Sequence, residues 1–219
     1  MNKKKNVSFI LNIIIFVCLI IGITLELYSD ITSDYSLLKM LTYNYKHYTE
    51  LSNLFMGTCS LVYAINLWNS VKRKNEIPKS LKIIKLLSTT GVTLTFLTVV
   101  FYLVPLMGSK WLFLFTGSQL FFHLIIPVLS LITFIFYEDN KVDSKYTWYN
   151  LVPVSLYGIF YMIVSLTHQV DGHIDIEYDW YLFMSHGVTW GILSFVIMII
   201  FNIIIINILN KLTGKFMKK

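Results

Sequence analysis

Charge is scarce in this chain. Asp, Glu, Lys and Arg supply 14% of its 219 residues, against about 25% in an ordinary soluble domain. With 56% hydrophobic and 16% aromatic residues and a mean hydropathy of +0.65, too little polar surface is left to shield a core from water. Lipid is the solvent this composition fits. Cysteine is nearly absent: Cys18 and Cys59 both sit inside apolar runs, which excludes a disulfide framework and leaves two buried structural thiols. There is no G-x-S-x-G elbow and no obvious internal repeat of the inverted-repeat transporter kind. A secretory cleavage site is also missing. The basic head Lys3–Lys5 resembles that of a signal peptide, but the apolar run behind it, roughly 20 residues, exceeds a signal core of about 7–15. We expect it to remain as a first membrane helix. The net charge of +6 does not mark a nucleic-acid binder, because the basic residues fall in short blocks between apolar runs.

Six such runs are present, at roughly residues 7–28, 47–69, 83–106, 112–137, 148–168 and 181–209. Backbone polar groups in hydrocarbon must bond within their own segment, so these runs predict helices, and the alternating pattern of a membrane barrel is absent. The expectation is an all-α bundle of six transmembrane helices forming one domain over residues 1–219. Fifteen of the eighteen Lys and Arg residues fall on one side of these runs: Lys3–Lys5, the block Lys72 to Lys85, Lys141 with Lys145, and the tail. Only Lys39, Lys46 and Lys110 fall on the other. Both termini are therefore expected in the cytoplasm. Pro78 and its neighbouring charges break the chain between runs two and three, and the last outer loop, VDGHIDIEYDWY, is strongly acidic.

With that orientation, polar residues can be placed by depth at about 1.5 Å per residue. His47, Thr49, Glu50, Ser52 and Asn53 fall in the outer third of run two. Gln119 lies at the outer edge of run four, and His123 about a turn and a half inside it. Glu26, Tyr102, His168 and His186 also lie near outer ends. Most strongly polar side chains thus share one leaflet, while the inner halves read as Ile, Leu, Val and Phe with scattered Thr and Asn. Near helix ends Glu26, Glu50 and His47 are expected to snorkel to water, and Thr49 has the plain option of bonding a carbonyl one turn back. His123 is different, being apolar-flanked in LFFHLIIPVL; an intramembrane histidine needs a partner or a task. Pro127, one turn on, frees a backbone carbonyl and makes a kink and cavity there plausible. Gly187 and Gly191 give His186 a helix-packing context.

A hydroxyl becomes a nucleophile when a base takes its proton. Thr49 with His123 has that composition, Ser52 is the alternative hydroxyl one turn on, and Asn53, Gln119 or Tyr102 could donate to an oxyanion. The T-x-L-S-N stretch (Thr49, Leu51, Ser52, Asn53), the H-x-x-x-P stretch (His123, Pro127), the acidic pair Glu138–Asp139 and the aromatic run Tyr178 to Phe183, on a six-run chain, resemble the androgen-induced and androgen-dependent family of integral membrane proteins and its bacterial relatives. That family comprises six-span threonine hydrolases of fatty acid esters of hydroxy fatty acids. The resemblance implies Thr49 as nucleophile and His123 as base. It also implies a lipid-like ester substrate, met by Ser52, Asn53, Tyr102, Gln119, His186 and Glu26, and a bacterial plasma membrane location. The spacing departs from the animal pattern around both residues. No cofactor, metal or nucleic acid is expected; membrane lipid is, and homo-oligomerisation is left open. The alternatives are a small-solute transporter or channel, a haem or metal protein pairing His123 with His186 or His47, and a non-catalytic membrane protein.

Overall fold

The computed structural model describes residues 3–33, 36, 44–170 and 173–216. Lys39, Asp171, Lys218 and Lys219, which entered the charge reading, lie outside them. The described chain is helical apart from one ribbon of two antiparallel two-residue strands, β1 (Gln169–Val170) and β2 (His173–Ile174). The long helices are α1 (Lys3–Thr32), α2 (Tyr48–Arg73), α3 (Lys79–Thr98), α4 (Gly117–Phe136), α5 (Leu151–Thr167) and α6 (Val188–Leu212).

Five stretches are long and apolar enough to cross a membrane, and α2 is not among them. Its sequence is diluted by polar residues, yet the two faces separate cleanly. Thr49, Glu50, Ser52, Asn53 and Ser60 are buried, while Leu51, Phe55, Val62, Ile65 and Trp68 are exposed. Polar in and apolar out is the reverse of a water-soluble amphipathic helix. The last helix also differs from its expected run, because Tyr181–His186 forms turns and α6 begins only after Gly187.

Helix α3 is the central element, in contact with α2, α4 and α6. Every residue from Ser88 to Thr95 is buried, so its hydroxyls cannot reach water. Thr89, Thr90 and Thr93 instead donate to carbonyls four residues back, at 2.8, 2.8 and 2.7 Å. A buried hydroxyl left unpaired would cost about 1–3 kcal/mol. Apolar packing fills the space on either side. Ile15, Leu19, Met56, Val92, Phe122 and Ile126 join α1 to α4, and Leu86, Leu94, Phe134, Val154, Ile205 and Leu209 join α3 to α6.

Two π-turns interrupt the helical ladder, Val99–Leu103 and Phe121–Ile125, and each lies shortly before a proline, Pro105 and Pro127. Proline has no N–H to give and its ring crowds the carbonyl four residues back. A π-turn widens the ladder there: Ile126 N–H bonds Phe121 O, five residues back. His123 sits at the centre of the second of these turns.

Candidate functional site

The first two turns of α2 send buried polar side chains to four different neighbours. The Tyr181 hydroxyl stands beside Thr49 and accepts the Tyr48 N–H at 2.9 Å. Ser52 meets the Thr95 hydroxyl at 2.9 Å. The Asn53 amide donates to Thr49 O at 2.8 Å and to Phe122 O at 3.0 Å. Glu50 interacts with Gln119 and with the charge of Glu26, and its Oε2 lies 3.8 Å from His47 Nδ1.

His123 donates from Nδ1 to Leu114 O at 2.7 Å. A carbonyl oxygen can only accept, so the neutral ring carries its proton on Nδ1 and Nε2 keeps its lone pair. The imidazole is 5% exposed, edge-on to Phe115. The turn that carries it is pressed onto α1, where a Cβ on Gly22 would come within 2.5 Å of the Phe122 ring. Among the described residues no hydrogen bond joins Thr49 to His123. Their link is Asn53, which ties the Thr49 carbonyl to the residue preceding the histidine.

Glu26 and Glu50 do not snorkel: both are buried. Asp30, also buried, accepts from Asn44 at 2.6 Å, and among the described residues no Lys or Arg forms an ion pair with Glu26 or Glu50. Two acceptors at this end, Glu50 Oε2 and Asn53 Oδ1, are buried with no hydrogen-bond partner among the described residues. The site is therefore rich in acceptors and poor in donors, which suits a ligand that brings hydroxyl or N–H groups.

Thr49 also lines an enclosed cavity of about 50 Å³ with Tyr48, Tyr157, Tyr161, Tyr181 and Phe183. No family model matches this chain, and no curated protein or solved structure is significantly similar to it. The site must be read from its own geometry.

The turn Tyr181–Gly187 closes one side of the cavity and is held by Asp179. That carboxylate accepts from Tyr161 and from Met184 N–H at 3.1 Å, while Leu182 N–H bonds Asp179 O at 2.7 Å. Leu182 takes φ of +57°, a strained value for a residue with a branched side chain. Tyr102 donates to Tyr181 O at 2.9 Å, but together with His186 it lines a separate groove of about 440 Å³. His186 precedes α6 instead of lying a turn inside it. Gly191 packs on Met184, and His168 is exposed and stacked on Tyr178 at 3.8 Å. Glu26, Gln119, Asn53, His123 and Thr49 thus gather at one end of α2, while Tyr102 and His186 stand apart from them.

At the opposite end of the bundle lies a cluster that sequence reasoning passed over. Lys85, counted there among loop cations, is 0% exposed within α3. Its Nζ donates to Asn12 Oδ1 at 2.6 Å and to Ser60 Oγ at 2.9 Å. It lies 3.9 Å from Glu138 Oε1 and 5.5 Å from the Tyr63 ring centroid. Asn12 and Asn140 donate to the two Glu138 oxygens at 2.7 and 2.6 Å. The only local signal was a lysine followed at once by an apolar run, KLLSTTGVTL.

Proposed function

We propose that this protein is a multi-pass membrane hydrolase of lipid-like carboxylic esters, with six spans, both termini cytoplasmic, Thr49 as nucleophile and His123 as general base. The observation that carries this reading is the double donation by Asn53. It clamps the turn bearing Thr49 to the turn bearing a histidine whose Nε2 keeps a free lone pair. In the reaction the Thr49 hydroxyl turns toward that nitrogen. Nε2 takes the hydroxyl proton as Oγ1 attacks the ester carbonyl, then returns it to the departing alkoxide. Water, deprotonated by the same nitrogen, releases the acid and restores Thr49. The roles follow the resemblance of the T-x-L-S-N and H-x-x-x-P stretches to those of the threonine hydrolases.

A fluorophosphonate probe tests it. Wild type should label, Thr49→Ala should not, and His123→Ala should label far more slowly. An unlabelled wild type, or equal labelling of Thr49→Ala, refutes the reading.

A second reading is favoured by the Lys85 cluster and the hydroxyls of α3, which carry polar groups into the half of the bundle that looked apolar. On it the protein passes a small solute or protons. Proteoliposome flux that falls with His123→Ala and Lys85→Met but survives Thr49→Ala would support this second reading over the first.

A further inference from the structure

The groove of about 440 Å³ runs between α3 and α6, and nothing above gives it an occupant. Its volume lies within the roughly 300–1,000 Å³ typical of small-molecule sites. Leu94, Leu97, Phe101, Ile197 and Phe201 supply apolar walls, while Tyr102, Ser185 and His186 stand together at one end. The two ends differ in chemistry. At the polar end Ser185 Oγ and His186 Nδ1 are 2.9 Å apart, and Trp190 is edge-on to the His186 ring. From Trp190 the groove follows α6 to Phe201, roughly 16 Å at about 1.5 Å per residue; beyond Ser194 the one polar side chain lining it is Thr98, whose hydroxyl is spent on Leu94 O and Met198 Sδ. Phe101, Trp190 and Phe201 are largely exposed, so the groove opens onto the apolar outside of the bundle.

Leu94, Thr98, Phe183 and Met198 line both this groove and the cavity at Thr49. Phe183 and Met198 form the partition between them. Phe183 belongs to the strained turn around Leu182, and Met198 has an unbranched, readily rotating side chain.

We propose that the groove is a binding site for a single-chain amphiphile taken sideways from the bilayer, its polar head against His186 and Ser185 and its alkyl chain along α6 toward Phe201. Phe183 is the specificity-determining partition through which a carbonyl reaches the Thr49 cavity. This last step rests on the hydrolase reading; occupation of the groove does not. One unbranched chain fits a slot walled by two helices, whereas a two-chain lipid would need a second slot.

Ser194 lies in the groove wall and Ile192 on the exposed face of α6, so the test compares Ser194→Cys with Ile192→Cys. Cys18 and Cys59 are buried. Full-length protein in nanodiscs is treated with a membrane-permeant maleimide, with and without lauric acid. Lauric acid at about ten times its dissociation constant should slow labelling at Ser194→Cys roughly tenfold and leave Ile192→Cys unchanged. Butyric acid or added phosphatidylcholine should protect neither. Equal protection at both positions, equal protection by all three additives, or a Cys at 194 that does not react without additive overturns the proposal. Protection with no fluorophosphonate labelling would refute the hydrolase alone; labelling of Thr49 with no protection would refute the groove alone. Phe183→Ala should leave lauric acid protection intact. In an active hydrolase it should widen the range of chain lengths cleaved. Loss of protection in that variant would remove Phe183 from its role as partition.

Discussion

Replacing Lys85 with methionine removes a charge whose partners come from three other parts of the chain. Glu138 keeps its two amide donors but loses the ammonium 3.9 Å away, and Asn12 Oδ1 and Ser60 Oγ lose the ammonium they meet at 2.6 and 2.9 Å. Leaving one member of a buried ion pair unpaired costs about 3–5 kcal/mol. For a chain of this size that is a fall of roughly 6–20 °C in unfolding midpoint. The double variant Lys85→Met with Glu138→Gln removes both charges at nearly constant volume. It should recover most of the loss, since an uncharged replacement of a buried pair is often neutral. Thermal unfolding of wild type, Lys85→Met, Glu138→Gln and the double variant in detergent, followed by tryptophan fluorescence and by the surviving monodisperse fraction, gives the four midpoints. A loss below about 1 kcal/mol for the single variant, or single losses that simply add in the double, would show that the pair is not coupled.

Lys85 matters to the fold for a reason specific to lipid. Apolar side chains gain little by leaving hydrocarbon for a helix interface, so association depends on close packing and on polar pairs. The Lys85 cluster ties α1, α2 and α3 to the residues after α4, and its geometry admits one register. Thr213 and Gly214 cover it from the far end: Asn140 N–H bonds Thr213 Oγ1 and Gly214 N–H bonds Glu138 O, both at 3.1 Å.

Three further outcomes check other parts of the structure. Asn53→Leu should cost about 1–3 kcal/mol, and Asn53→Asp should cost at least as much, because both bonds are donated by Nδ2; a stable Asn53→Asp protein would mean the clamp is unimportant. Gly158→Ala places a Cβ 2.0 Å from the Phe195 ring, an overpacking worth about 1–3 kcal/mol that Phe195→Leu should relieve; an unchanged midpoint would contradict the close approach of α5 and α6. Lys79 donates to Asp143 at 2.8 Å and holds its carboxyl below the ordinary carboxylate range. A depressed carboxyl stabilises the fold above its unfolded value, about 3.9, and that contribution is lost as pH falls through the folded one. Asp143→Asn should therefore sit slightly below wild type at neutral pH, merge with it on acidification and differ less in high salt; a gap that widens in acid would reverse the sign.

The helical class of the chain and the unusual placement of His123 were legible because each depends on residues within one run. A run of Ile, Leu, Val and Phe dictates helix in lipid whatever it touches, and a proline four residues after a histidine must disturb the helix at that histidine's turn. Partners were not legible. Thr49 and His123 are matched by composition, but the Tyr181 hydroxyl that stands beside Thr49 lies beyond α5 in a turn set by Asp179, and no spacing announces it. Glu26 and Glu50 look like snorkelling ends when each helix is viewed alone, and only the packing of α1 and α2 with their neighbours buries them. Lys85 follows a basic loop by a few residues and reads as part of it, because the groups that draw it inward, Asn12 and Glu138, are 73 and 53 positions away. In a water-soluble protein the hydrophobic face of a helix reports which side is inside. Here the apolar side faces out, so the inside is marked by the few polar residues, and their sequence neighbourhood says how deep they lie but not whom they meet.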